Sequence, residues 1–358
     1  MRAVGRPSPD GRPTVVPFLR ERFTGPLSRV RIDERFDRHG QDMLARTKIA
    51  AASLAVGALA LGAGLVPAQA SGPSRAPHAP VLAAAEPPVF TATLVRTYDT
   101  FDAHQAVAVD QKYFYVVNNR RITKHDKVTG EPLLQFVAND DGPIIHMDSG
   151  VVVNGRLYAA HSNYDESPME SSIEVFDTRT MQHISTYSFG IDRGSLTWID
   201  RHDGAWWAGF ANYDVVPDGQ TEPYGGTDNT QIVKLDDNFQ IIQAWTIPKA
   251  ILDQFKPMSN SGGSWGPDGR LWITGHDLGE AYVMNVPAAG SELQWVATVN
   301  LPDVEGQGIA WDRSGDKPTL WTIKRSTSQA LTFTVPFGSI SDPDSSDWQV
   351  LGPGEFQQ

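Results

Sequence analysis

The stretch His146–Tyr164 reads HMDSGVVVNGRLYAAHSNY, and its pattern decides the fold. Two short apolar or alternating runs, SGVVVNG and RLYAAH, are separated by Asn154-Gly155. This dipeptide readily supplies the positive φ angles of a two-residue hairpin turn. A hairpin returns to the end at which it began, so His146 and His161 are predicted to meet at one rim.

The same design recurs along the chain as a polar start, an alternating strand, a turn, an aromatic-rich strand and two further strands. The aromatic-rich copies are KYFYVVNN (112–119), RLYAAHSN (156–163), GAWWAGFAN (204–212), RLWITGHD (270–277) and TLWTIKRS (319–326). The equivalent starting residues are Gln105, Ser149, Ser195, Gly262 and Gln307, at intervals of 44, 46, 67 and 45 residues. A repeat of about 40–45 residues is typical of β-propeller blades.

The longest interval contains two insertions, a loop over Asn212–Asn229 and a predicted short helix over Pro248–Phe255. The fifth unit ends one strand short, whereas the strand TATLVRTYDTF (91–101) precedes the first unit. Adding that strand to the last blade would remove both open edges. The sequence therefore predicts an all-β fold, a single five-bladed β-propeller over residues 89–358, closed by an N-terminal strand joining the last blade.

One family resemblance accompanies these repeats. Units such as SSIEVFDTRTMQHISTY (171–187) resemble those of secreted β-propellers of the YVTN and quinoprotein-like type. The resemblance extends over residues 91–336. It implies the propeller architecture and no specific activity.

The chain before residue 89 is predicted to direct export. Residues 43–70 contain a basic segment, an apolar run and Ala68-Gln69-Ala70, the pattern of a cleaved signal peptide. An uncleaved membrane anchor is the alternative. Residues 1–42 indicate either a start codon set too far upstream or a disordered extension, and residues 71–88 a disordered Pro/Ala-rich linker. We therefore expect a secreted, extracellular protein.

The predicted exported part is strongly acidic. Residues 71–358 contain 19 Lys and Arg against 36 Asp and Glu, a net charge of −17, compared with −12 for the whole chain. This charge repels phosphate backbones and anionic lipids, so we expect no nucleic acid partner and no membrane partner after signal cleavage. The chain has no cysteine, which excludes disulfides and thiolate chemistry. A monomer that binds a carbohydrate or another small polar ligand is expected.

Polar side chains concentrate where first strands begin and second strands end. Both positions lie on one face of a propeller, so these side chains are predicted to line one channel mouth. The catalytic candidates are His146, His161, Asp148, Tyr164, Tyr213, His276 and Asp277. The substrate-binding candidates are His104, Gln105, Asn118, Asn163, Asn212, Asn260, Gln307, Lys324 and Arg325. Four histidines at one mouth favour a functional site over isolated structural groups.

The chemistry favoured for this mouth is cleavage of a glycosidic bond by a lyase. His146 or His161 would abstract a proton, and a tyrosine would protonate the leaving oxygen. Arg325 or Lys324 would neutralise a uronate carboxylate. Tyrosines beside amides also suit stacking and hydrogen bonding to sugar rings.

Three alternatives stay open from the sequence. A hydrolase would use Asp148 with Asp277 or Glu280 as acid and base. A lectin-like propeller would bind glycans through its amide and aromatic groups without catalysis. No cofactor is predicted, but a divalent metal is possible. Its ligands would come from His104, His146, His161 and His276.

Overall fold

Antiparallel strands make up nearly the whole fold, and the computed structural model describes residues 14–17, 86–336, 338 and 340. The strands are β1 (Thr14–Pro17), β2 (Val89–Thr91), β3 (Thr93–Asp99), β4 (Ala106–Val109), β5 (Tyr113–Asn118), β6 (Arg121–Asp126), β7 (Pro132–Val137), β8 (His146–Val153), β9 (Arg156–Ser162), β10 (Ser171–Asp177), β11 (His183–Gly190), β12 (Ser195–His202), β13 (Ala205–Ala211), β14 (Gln231–Leu235), β15 (Ile241–Thr246), β16 (Asn260–Trp265), β17 (Leu271–Gly275), β18 (Glu280–Asn285), β19 (Gln294–Asn300), β20 (Ala310–Asp312), β21 (Thr319–Lys324) and β22 (Gln329–Thr334). One α-helix, α1 (Lys249–Phe255), and two short 3-10 helices at Thr227–Asn229 and Arg325–Thr327 complete the described elements.

The strands form five blades around a central channel. β4–β7, β8–β11, β12–β15 and β16–β19 form the first four blades, and β20–β22 with β3 form the fifth. The first strands of neighbouring blades pack against one another, and β20 packs against β4, so the ring is closed. The predicted five-bladed propeller is confirmed.

The closure of the ring also follows the prediction. Strand β3 pairs antiparallel with β22, from Thr93 opposite Thr334 to Asp99 opposite Gln329. The structure adds two edge pairings that the sequence did not indicate. β2 runs parallel to β19 at the edge of the fourth blade, and β1 pairs antiparallel with β7 at the edge of the first. Both are short, and neither shows the alternation by which a strand is recognised in sequence.

The β8–β9 hairpin has the predicted turn at Asn154-Gly155. Asn154 and Gly155 have φ angles of 50° and 75°, and Val153 lies opposite Arg156 across the turn. At the other end of the hairpin, Met147 lies opposite His161. The two histidines therefore lie at one rim, as predicted.

Replacing Gly155 with alanine is expected to lower the free energy of unfolding by about 1–2 kcal/mol, because a Cβ is strained at a left-handed φ. Crowding adds little, since the nearest atom to such a Cβ, Thr178 Oγ1, is 3.9 Å away. Gly315→Ala is the matched control, because its Cβ would meet nothing within 4 Å. Urea unfolding measures both, and equal stability of the two variants would contradict the assigned turn.

Apolar side chains fill the spaces between blades. Trp198, Trp207 and Trp265 belong to one buried cluster between the third and fourth blades. Helix α1 adds Ile251 and Phe255 to that cluster. The predicted helix thus begins one residue late, after Pro248 at its N-cap. Most of the core consists of such contacts between sheets, which hold the blades in fixed positions around the channel.

The predicted extension, signal peptide and linker lie outside the described residues, apart from 14–17 and 86–88. Their assignments stay predictions. In the part of the chain that the structure describes, no helix is long and apolar enough to cross a membrane.

Candidate functional site

His146 and Asp148 form a hydrogen-bonded pair at the start of β8. His146 Nε2 lies 3.1 Å from Asp148 Oδ1, and both side chains are largely buried. A carboxylate only accepts, so Nε2 carries a proton, and in the neutral imidazole Nδ1 holds the free lone pair. The Tyr164 ring lies 5.4 Å from the imidazole, between ring centroids. This mouth therefore combines a base, an orienting carboxylate and a phenol.

The electrostatics of this group favour a charged imidazole and a neutral phenol. Burial lowers the pKa of His146, but the charge and hydrogen bond of Asp148 outweigh it and hold the pKa above its ordinary value. Burial, together with the charges of Asp165 and Asp148, raises the pKa of Tyr164 to about 12. Tyr164 thus keeps its proton at neutral pH, while His146 loses its proton only as the pH rises above the usual histidine range.

Two serines connect Asp148 to the third blade. Ser162 Oγ donates to Asp148 Oδ2 at 3.5 Å, and Ser195 Oγ donates to Ser162 Oγ at 2.8 Å. Tyr213 hydrogen-bonds Ser195, and burial raises the pKa of this tyrosine well above its ordinary value. The rings of Tyr213 and Tyr164 are 5.1 Å apart. Neither serine was among the predicted site residues.

His161 lies beside this group but is bound within its own blade. Its Nε2 accepts from the Ile145 amide at 3.2 Å, and its Nδ1 donates to Ser172 Oγ at 2.9 Å. Ser172 in turn donates to the buried Glu174 at 2.7 Å. Burial lowers the pKa of His161 below its ordinary value. Both ring nitrogens are occupied, so this geometry favours His146 over His161 as a base.

A second imidazole–carboxylate pair lies on the same face of the propeller, after β17. His276 Nδ1 donates to Asp277 Oδ1 at 2.6 Å, and Arg325 Nη1 donates to His276 Nε2 at 3.3 Å. The hydrogen bond from His276 and the charge of Arg325 lower the pKa of Asp277 despite partial burial. Lys324 lies 3.7 Å from Asp303. This part of the mouth carries the cationic groups that were predicted to bind a carboxylate.

Three amides predicted to bind substrate are used inside the protein. Asn163 bonds Pro168 O and the Glu170 amide, which closes its own loop. Asn212 donates to two backbone carbonyls that tie down the insertion. Asn260 is fully buried, accepts from Trp198 Nε1 and donates to two carbonyls. None of the three is arranged primarily for a ligand.

The remaining candidates lie around the first and fifth blades. Gln105 donates to Asn119 at 2.6 Å, and Asn118 donates to Asp102 O at 3.2 Å. His104 is exposed before β4. Gln307 is buried at a positive φ of 75°, and its Nε2 has no hydrogen-bond partner among the described residues. Gln307 is therefore the amide best placed to bind a guest in the channel.

Among the residues that the structure describes, no three His, Asp or Glu side chains are grouped to hold a metal ion. A cavity of about 150 Å³ lies at the other end of the channel, where residues of all five inner strands meet. A groove of about 380 Å³ lies beside the Asn154-Gly155 turn, between the second and third blades.

The fold and the channel mouth together define the class of protein. It is a five-bladed β-propeller with paired imidazole and carboxylate groups at one end of its channel. The architecture on which the predicted resemblance rested is confirmed. No protein-family model and no curated protein matches the chain.

Solved structures similar to this chain include one from the crystal structure of a mitotic checkpoint complex. Its identity is 11%, with 79% of this chain and 99% of that chain covered and a TM-score of 0.40. The PQQ-bound form of an aldose sugar dehydrogenase from Streptomyces coelicolor is 14% identical, with coverages of 72% and 85% and a TM-score of 0.38. At these TM-scores neither similarity supports an inference about this chain.

Proposed function

We propose that this protein is a secreted lyase that cleaves a uronate-containing polysaccharide at the mouth bearing His146. The observation that carries the proposal is the His146–Asp148 hydrogen bond beside Tyr164. This set supplies a base, a group that orients it and a proton donor, the three parts needed for elimination across a glycosidic bond.

In the proposed reaction, His146 Nδ1 takes the proton on the carbon next to the uronate carboxyl group. The electron pair of that C–H bond forms the new C=C bond, and the glycosidic C–O bond breaks. Tyr164 gives its proton to the leaving oxygen. Asp148 stabilises the imidazolium through Nε2, and Arg325 and Lys324 supply positive charge for the substrate carboxylate.

The alternatives are less well supported by the same contacts. In a hydrolase two carboxylates face the glycosidic bond, but here Asp148 bonds His146, Asp277 bonds His276, and Glu280 accepts from a tyrosine at 2.7 Å. A lectin-like mouth needs amides free to bind sugar. Those of Asn163, Asn212 and Asn260 are engaged within the fold.

Turnover is expected to rise with pH to a plateau, with a midpoint above that of an ordinary histidine, because His146 acts as a base only when neutral and Asp148 raises its pKa. Asp148→Asn removes the charge that raises this pKa, so the midpoint should move to lower pH while the maximal rate falls. Initial rates of unsaturated uronate release from polygalacturonate or alginate measure both effects. A midpoint that stays fixed or moves to higher pH would contradict the role of Asp148.

A screen of neutral and acidic polysaccharides tests the substrate class itself. Absorbance of unsaturated uronates reports elimination, and reducing ends without that absorbance report hydrolysis. Reducing ends alone would replace the proposed lyase with a hydrolase. Binding without either product would favour the lectin-like role.

A further inference from the structure

The groove between the second and third blades lies at the opposite face from the catalytic mouth. It begins at Asn154 in the β8–β9 turn, whereas His146 lies at the far end of the same strand. Its volume of about 380 Å³ falls within the range of small-molecule sites, roughly 300–1,000 Å³. The groove is therefore large enough for one or two sugar rings and separate from the site proposed above.

Aromatic side chains form one wall of the groove. The Tyr158 ring lies 4.5 Å from the ring of Trp206 and 6.3 Å from that of Phe239. Trp206 is buried, while Tyr158 and Phe239 are only partly buried. Two partly exposed rings thus offer flat apolar surface to a guest, the arrangement that suits the C–H face of a pyranose ring.

Phe239 is held in a backbone conformation that is unusual for its type. Its φ is 59°, in a turn closed by its amide on Asp236 O. The corresponding turn of the first blade has Gly130 at the positive φ, and that of the second blade has the fully buried Met181. Packing against Trp206 and Tyr187, at ring-centroid distances of 5.2 and 5.1 Å, holds the partly buried Phe239 ring at the groove.

The groove also contains an arginine side chain that forms no ion pair, although acidic residues outnumber basic ones in this protein. Arg156 is exposed, and its guanidinium has no ion pair or hydrogen bond among the described residues. Asp177, opposite it on β10, lies 3.7 Å from Arg179 instead. The other arginine of the groove, Arg201, is 2.6 Å from Asp237. Arg156 is thus available to bind an anion through its guanidinium fork.

We infer that this groove is a second carbohydrate-binding site, specific for an acidic sugar. The sugar carboxylate would bind Arg156, its ring would stack on Phe239 and Tyr158, and its hydroxyls would bond the Asn154 amide. The inference rests on the groove alone and holds whether or not the mouth is a lyase. In a lyase, the site would retain a polyuronate on the face away from catalysis.

Isothermal titration of trigalacturonate against the full chain tests this site, with a neutral trisaccharide of galactose as the comparison ligand. All proteins carry His146→Gln, so that any turnover is slow during the titration. Arg156→Ala and Phe239→Gly are each expected to weaken groove binding at least tenfold. Glycine accommodates the φ of 59°, and Arg156 is exposed, so neither change should prevent folding; thermal melting checks this.

Lys317→Ala is the control, since it removes one positive charge from an exposed side chain of the fifth blade, outside the groove. It should leave affinity unchanged. Equal losses in the Arg156 and Lys317 variants, equal binding of the neutral trisaccharide, or no trigalacturonate binding would each overturn the inference. If the native chain binds trigalacturonate at the groove but forms no unsaturated product, the result would count only against the proposed lyase.

Discussion

Replacing His146 with glutamine is expected to slow polyuronate cleavage by about 10²–10⁴-fold, the range for removal of a positioned acid–base group. Glutamine retains a donor toward Asp148 but offers no comparable base. Initial rates of unsaturated uronate release measure the loss. The melting temperature should change little, because His146 belongs to a polar rim and not to the apolar clusters between blades.

His202→Gln is the control for this experiment, because His202 ends β12 at the opposite face of the propeller. It should retain full activity. His161→Ala provides the contrast, since it leaves the Ile145 amide and Ser172 without their partner. Its expected effect is a lower melting temperature. Unchanged activity in a folded His146→Gln protein would exclude His146 as the base.

The architecture was predictable because a propeller repeats one simple pattern five times. The two strands on either side of Asn154-Gly155 form a hairpin whose turn can be recognised in the sequence. The interval between equivalent residues of successive units gives the size of a blade. The unpaired strand before the first blade then indicated the closure through β3. The pairing of Val89–Thr91 with β19 was not predictable, because three residues carry no recognisable period.

The position of the candidate residues was predictable, but their hydrogen-bond partners were less so. Strand ends indicated the mouth, and the β8–β9 register brings His146 and His161 together. The partners of His161 depend on β10, where Ser172 lies directly opposite His161 and Glu174 is two residues further on the same face. The sequence SSIEVFD (171–177) already places Ser172 and Glu174 on one face of a strand. The link through Ser162 and Ser195 joins two blades, and a pattern within one repeat does not contain it.

A buried glutamate links the hydrogen bonds around His161 to the segment that precedes His146. Glu174 is buried beneath the mouth and accepts hydrogen bonds from Ser172, from His183 at 2.7 Å and from Thr186 at 2.6 Å. Ser172 connects it to His161, which fixes the amide before His146. Glu174 therefore contacts the segment before His146 only through Ser172 and His161.

Glu174→Ala is expected to lower the free energy of unfolding by about 1–3 kcal/mol, the usual cost of leaving buried hydrogen-bond donors without their acceptor. Ser172, which is buried, would lose its acceptor, and so would the partly buried His183 and the exposed Thr186. Urea unfolding measures the loss. Glu170→Ala is the matched control, because Glu170 is an exposed glutamate of the same blade and should change stability by less than about 0.5 kcal/mol.

The pH dependence of stability provides an independent test. Burial raises the pKa of Glu174, but hydrogen bonds from His183, Ser172 and Thr186 outweigh it and hold the pKa below its ordinary 4.5. The stabilisation is therefore present above pH 4.5 and is lost as the pH falls through the folded-state pKa. The native chain should lose stability across this window more steeply than Glu174→Ala. Parallel pH profiles for the two proteins would mean that this carboxylate does not hold the network beneath the mouth.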